Sequence, residues 1–328
     1  MQSGRKPDRN SIPKGIPTRS REFSDAVRNR LQWSCGPFAL FAALAAPALA
    51  AGAPQSPPPP SPTKVVRSPG NAEWAATPAE AQTRAADSKK LVFYEFDQAK
   101  CGKCRRMDQL LYPALDFEAL LIPMVPVKVL IDSPEGTQLA SRYGIDDIPA
   151  ILVTTPQGRL VFQMVGFENP QDFYPHIHKD LDGYRAFSRK VDGQDVAHLP
   201  AVEALDTGRA LYQRHDPVAA RPRLQRASTA SQVSPAVRDE ALELLAAAEL
   251  DLGDLPSSRA TIDKLIATTG DPDRRERAEL FRAQLPLAEN KPGEAYALFQ
   301  KFQKDHPNSQ YRIQVQALMA KVEGDLHK

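Results

Sequence analysis

Cys101-Gly102-Lys103-Cys104 sets two thiols two residues apart, and this motif constrains the chain more than any other feature. A bond between them closes almost no loop, so it adds little stability through chain entropy. Its value is chemical. Two neighbouring sulfurs trade between dithiol and disulfide, the first attacking and the second resolving. The remaining cysteine, Cys35, lies in an apolar stretch that reads as a secretion signal. The pair is then all the cysteine the exported chain keeps.

From Gly36 to Ala50 there is no charge, Arg28 and Arg30 stand before it, and Ala48-Leu49-Ala50 offers small residues to a signal peptidase. That order of basic, apolar and small residues predicts export, cleavage after Ala50 and a periplasmic location. Disulfides form readily in that compartment. Residues 1–26 are a long polar extension, and Val27 sits where a start residue is expected; the extension reads as an overextended start. No later apolar run approaches a membrane span.

A length of 328 residues predicts two domains and a tail. Beyond residue 50 the chain holds 34 Lys/Arg and 37 Asp/Glu, a net charge of −3. Such a balance leaves no electrostatic footprint for nucleic acid.

Seven prolines within residues 51–70 predict a semi-rigid spacer over 51–77. Thr77-Pro78 then opens a helix over Pro78–Ser88. Leu91–Phe96 reads as a buried strand, with Cys101 just beyond it at the start of a helix whose inner face carries Met107, Leu110 and Leu111. A strand over Pro123–Ile131, a helix over Pro134–Arg142 closed by Gly144, strands over Ala150–Thr154 and Leu160–Val165, and a helix from Pro170 to about Tyr184 follow. The order predicts an α/β domain, 78–190, with a mixed four-stranded sheet and flanking helices. The first strand pair is parallel and the last an antiparallel hairpin.

Residues 191–328 change character: strand-like runs vanish and Ala, Leu, Arg and Glu dominate. Breaks near Asp216-Pro217, Gly253–Pro256, Gly270–Pro272, Asn290–Gly293 and His306-Pro307 predict helix pairs. Ala260 and Ala295 stand 35 residues apart after two such turns, close to the roughly 34-residue tetratricopeptide period. An irregular helical bundle is the other reading of this region.

Residues 78–184 resemble the thioredoxin superfamily, especially secreted bacterial thioredoxin-like proteins. The resemblance rests on a strand, C-x-x-C at a helix start, Met107, Tyr143-Gly144-Ile145, Ile148-Pro149-Ala150, the hairpin around Gly158 and Gly166. It implies that Pro149 is a cis-proline beside the disulfide and that the Ile148 backbone meets an extended substrate peptide. It also implies that Glu95, six residues before Cys101, stands where thioredoxins carry a buried aspartate relaying a proton to the second cysteine. An exposed edge-strand carboxylate is the alternative for Glu95. Lys100, Lys103 and Ala150 replace the usual tryptophan, proline and threonine, so thioredoxin's own substrate range does not carry over.

A helix N-terminus favours a thiolate on Cys101, and Lys103 adds a cation. Cys104, one turn inward, suits resolution. A structural zinc needs four ligands, and His176 and His178 point apart on a helix, so neither metal nor cofactor is expected. The expected enzyme is an exported thiol–disulfide oxidoreductase acting on protein thiols and disulfides, with an upstream redox partner and a protein partner on the helical region. An adaptor or assembly factor using the fold as a binding module is the alternative.

Overall fold

The computed structural model describes residues 73–326. The secretion signal, the start-site reading and most of the proline-rich spacer lie outside the described residues.

Helix α1 (Pro78–Ser88) begins as its sequence demands: the Thr77 hydroxyl accepts the Glu80 N–H at 3.1 Å, and Pro78 occupies the first turn. Then follow β1 (Leu91–Asp97), α2 (Gly102–Leu110), α3 (Leu115–Leu121), β2 (Met124–Leu130), α4 (Pro134–Tyr143), β3 (Ala150–Thr154), β4 (Leu160–Val165) and α5 (Pro170–Val191). The sheet order is β2-β1-β3-β4. β1 runs parallel to β2 and antiparallel to β3, and β3–β4 form the expected hairpin.

Strand β1 is central, so both of its faces are covered. Val92, Tyr94 and Phe96 join the core beneath α1 and α4, with Ala81, Ala85 and Ala140. Phe93 packs on the other face with Met107, Phe117 and Phe173 from α2, α3 and α5. Strand alternation puts Glu95 and Asp97 on the Phe93 face, beneath α2. Gly144 ends α4 in the left-handed region at φ 67°, as its position in the sequence predicts.

Several expectations are corrected. Helix α3 stands where the sequence pattern predicts no element; it has no side-chain cap and is held by burial of Phe117, Leu120 and Leu121. Leu110 is 43% exposed, whereas Met107 and Leu111 are buried as expected. Helix α5 continues past Tyr184 to Val191, because Leu181, Tyr184 and Val191 all bury on one side. The spacer ends earlier than 77: Trp74 packs edge-on against Phe93, and the Ala75 N–H donates to Pro126 O at 2.8 Å.

Beyond a 3-10 turn (Val196–His198) stand α6 (Ala201–Gln213), α7 (Pro217–Thr229), α8 (Pro235–Asp251), α9 (Leu255–Thr268), α10 (Pro272–Ala288), α11 (Pro292–Asp305) and α12 (Arg312–Leu326). Most begin alike. Asp216, Ser234, Asp254 and Asp271 accept N–H groups of the first turn, with proline at one of its first two positions. Each helix packs on the next. The 35-residue register does not hold: Ala295 is fully buried but Ala260 is exposed. The starts of α9 and α11, Leu255 and Pro292, are 37 residues apart. The buried counterpart is Ser258, whose hydroxyl donates to Ala246 O. Among the described residues, no helix is long and apolar enough to cross a membrane.

The two parts of the chain meet at Arg159, in the β3–β4 turn. Its guanidinium reaches Asp192 at 2.9 Å and Asp216 at 2.8 Å. Beside it the Leu160 N–H donates to Arg214 O at 2.7 Å, and Arg214 donates back to Leu160 O. Arg223 donates to Val191 O at the end of α5. Arg159→Ala leaves two carboxylates without their shared cation. We expect it to lower stability by about 2 kcal/mol, read as the shift of the urea unfolding midpoint.

Candidate active site

Cys101 is the N-cap of α2, in extended backbone, and its Sγ accepts the Cys104 N–H at 3.0 Å. A sulfur in this place receives a helix N–H and the positive end of the helix dipole. The two cysteines form a disulfide, with Cα atoms 5.2 Å apart. Cys101 is partly exposed and Cys104 is 1% exposed, so the first cysteine is the more accessible of the two. Met107 lies in the core.

The Ile148–Pro149 bond is cis. Pro149 is buried, its carbonyl accepts the Gly166 N–H at 2.8 Å, and Ile148 is half-buried. The fold brings this loop to the cysteine end of the sheet in two ways. Ala150 registers with Phe96, near the end of β1. The Lys103 ammonium, in the first turn of α2, lies 3.6 Å from Asp147. Lys103 is thus exposed and engaged with the proline loop. Arg106 lies over the Phe167 ring, next to Gly166.

Glu95 is fully buried, so the reading as an exposed edge carboxylate is excluded. Its Oε1 lies 3.1 Å from the Lys128 ammonium, its register partner on β2. Burial pushes the Glu95 carboxyl up to about 7; Lys128 and the nearby Tyr112 hydroxyl work against that shift, and Asp108 adds to it. Lys128 also meets Asp97 at 3.3 Å and Asp108 at 3.4 Å. Burial works against its charge, yet these carboxylates hold its pKa above the ordinary lysine value.

Asp97 is the site residue that sequence reasoning missed. One of its carboxylate oxygens, Cys101 Sγ and Cys104 Sγ all lie within 4.8 Å of one another. Its signal was available: it follows Glu95 by two on a strand and so shares that residue's face.

Residues 78–179 match the family model described as a thioredoxin-like domain. No curated protein matches the chain. Three of the solved structures similar to it are a thioredoxin from Thermus thermophilus, a DsbH oxidoreductase and a thioredoxin from Trichomonas vaginalis. The first is 22% identical, covering 38% of this chain and 95% of its own, with a TM-score of 0.31. The second is 16% identical, covering 41% and 95%, with a TM-score of 0.31. The third is 24% identical, covering 34% and 94%, with a TM-score of 0.25. The family match gives residues 78–179 as a thioredoxin-like domain, and an all-helical region follows it.

The Glu95 shift has a definite sign. A carboxyl whose pKa is raised by folding contributes stability fully below its unfolded value near 4.5. That contribution is lost as pH rises through about 7. Between these limits the oxidised protein should lose up to about 3 kcal/mol, and Glu95→Gln should remove most of that decline. Urea unfolding of both proteins across this pH range measures it.

Proposed function

We propose that this protein is a thiol–disulfide oxidoreductase that acts on protein disulfides or dithiols through Cys101 and Cys104. The carrying observation is the disulfide across the first turn of α2, with Cys101 Sγ receiving a helix N–H and Cys101 partly exposed while Cys104 is enclosed. In the reduced state the same N–H and helix dipole favour a thiolate on Cys101. Lys103 adds positive charge to the same turn. The attacking sulfur is then Cys101, and Cys104 resolves the mixed disulfide. Ile148 and Pro149 offer a substrate peptide its backbone contact at this end of the sheet.

The charge-free stretch before Ala50, preceded by arginines, supports export to the periplasm. The helical region carries no cysteine, and stacked helix pairs generally present extended surfaces to proteins. Its role in this proposal is to recruit a protein partner.

Wild-type protein should reduce insulin in the presence of a dithiol, and Cys101→Ser should be inactive. An active Cys101→Ser variant, or an inactive wild type, would leave a binding module as the better reading. On reduction, alkylation at mildly acidic pH should label Cys101 before Cys104. Cys104→Ala should accumulate mixed disulfides with its substrates, seen as reductant-sensitive bands on a denaturing gel.

A further inference from the structure

We propose that Asp97 accepts the proton of Cys104 when the cysteine pair closes, and that Glu95 does not. This inference rests on the thiol–disulfide reading above and assigns the proton step within it. Asp97 is the carboxylate whose oxygen lies within 4.8 Å of both sulfurs; that of Glu95 does not join the cluster. The difference follows from the strand. Asp97 is the last residue of β1, at the edge where α2 begins, whereas Glu95 lies two residues deeper.

Access to water separates the two as well. The Asp97 side chain is 19% exposed and that of Glu95 is wholly buried. A proton taken by Asp97 reaches solvent directly; one taken by Glu95 meets Lys128 and the core. Asp97 is also held in place. The Gln98 N–H donates to its Oδ1 at 2.7 Å, and Lys128 meets its Oδ2 at 3.3 Å. The charged and titratable groups around it are Lys128 from β2, Glu95 from β1, Asp108, Cys101 and Cys104 from the α2 side, and Tyr112 just past the end of α2.

In the reducing direction the Cys101 thiolate attacks a substrate disulfide. The Cys101–substrate bond forms, the substrate S–S bond breaks, and one substrate sulfur leaves as a thiolate. The Cys104 thiol then gives its proton to the Asp97 carboxylate, and the new thiolate attacks Cys101 Sγ. The Cys101–Cys104 bond forms, the mixed disulfide breaks, and the second substrate sulfur leaves as a thiolate. Asp97 returns its proton to solvent. Two electrons have passed from the cysteine pair to the substrate disulfide, and oxidation of a dithiol is the same sequence reversed.

The aromatic disulfide DTNB resolves these steps, because each releases one coloured thiolate. The protein is the full chain carrying Cys35→Ser, reduced, so that only the pair reacts. With Asp97 otherwise intact, two phases are expected. In Asp97→Asn the second release should slow about tenfold or more near neutral pH, and the first release should slow far less. Asp97→Glu should recover part of the second rate, and Glu95→Gln should leave the second phase closer to wild type than Asp97→Asn does. If Asp97→Asn unfolds, as judged by circular dichroism, Asp97→Ser takes its place. An unchanged second phase in the Asp97 variants, or a larger loss in Glu95→Gln, overturns the assignment. Failure of the Asp97-intact chain to release the second thiolate overturns the oxidoreductase reading itself, which is a distinguishable result.

Discussion

One ammonium group, that of Lys128, faces three carboxylates behind the disulfide. The arrangement follows from the position of β1 at the centre of the sheet. Both faces of a central strand are covered, and its period of two sends Phe93, Glu95 and Asp97 to the same side. Met107 and Cys104 anchor α2 over that side. A buried carboxylate is tolerated when it is paired or protonated, and Lys128 cannot neutralise all three. Glu95, the most enclosed, has its pKa pushed up to about 7. The charge balance beneath the sulfurs therefore changes near neutral pH, with Glu95 as its variable member. A redox pair built over such a group is coupled to pH through the protein interior as well as through its own thiols.

Much of this architecture is legible in local sequence. Helix α1 and strands β3 and β4 fall where their caps and turns put them, because Thr77-Pro78 and the turn around Gly158 act over a few residues. The cysteine helix and the cis-proline loop were readable from motif and resemblance together. Features set by distant contacts were not. Helix α3 lacks a cap and exists because Phe117, Leu120 and Leu121 find the core. The exposure of Leu110 beside a buried Leu111 depends on where α2 ends, and Asp97 acquires its meaning only when Lys128, 31 residues later, arrives beside it. In the helical region, turn chemistry marks most boundaries, but the break before Ser234-Pro235 carries neither glycine nor aspartate, and the 35-residue spacing of Ala260 and Ala295 does not match their burial. Ser258 fills the position equivalent to a buried small residue, and its polarity hides it from a search for alanines.

The matched span, 78–179, does not contain all the residues that complete its sheet. A mixed sheet of four strands has two edges, and an open edge exposes unpaired backbone groups to other chains. Both edges here are met by residues outside that span. On the β2 side, Ala75 forms a parallel bridge with Val127, with Trp74 inserted into the adjoining core. On the β4 side, the backbone of Leu160 pairs with Arg214, and Arg159 ties the same turn to Asp192 and Asp216. Arg214 further lies over Phe187 and Tyr184 of α5, and Tyr143 of α4 meets His215. The helical region thus contributes backbone and charge to the sheet's outer edge at a point where a flexible linker would contribute neither. Because β4 pairs with β3, and the Pro149 carbonyl before β3 binds Gly166 after β4, the contacts that hold the helical region also brace the strands carrying the proline loop. Cutting the chain at 190 would remove the last residue of α5 and every partner of Arg159 named here. The thioredoxin-like domain and the helices after it are joined through shared structure.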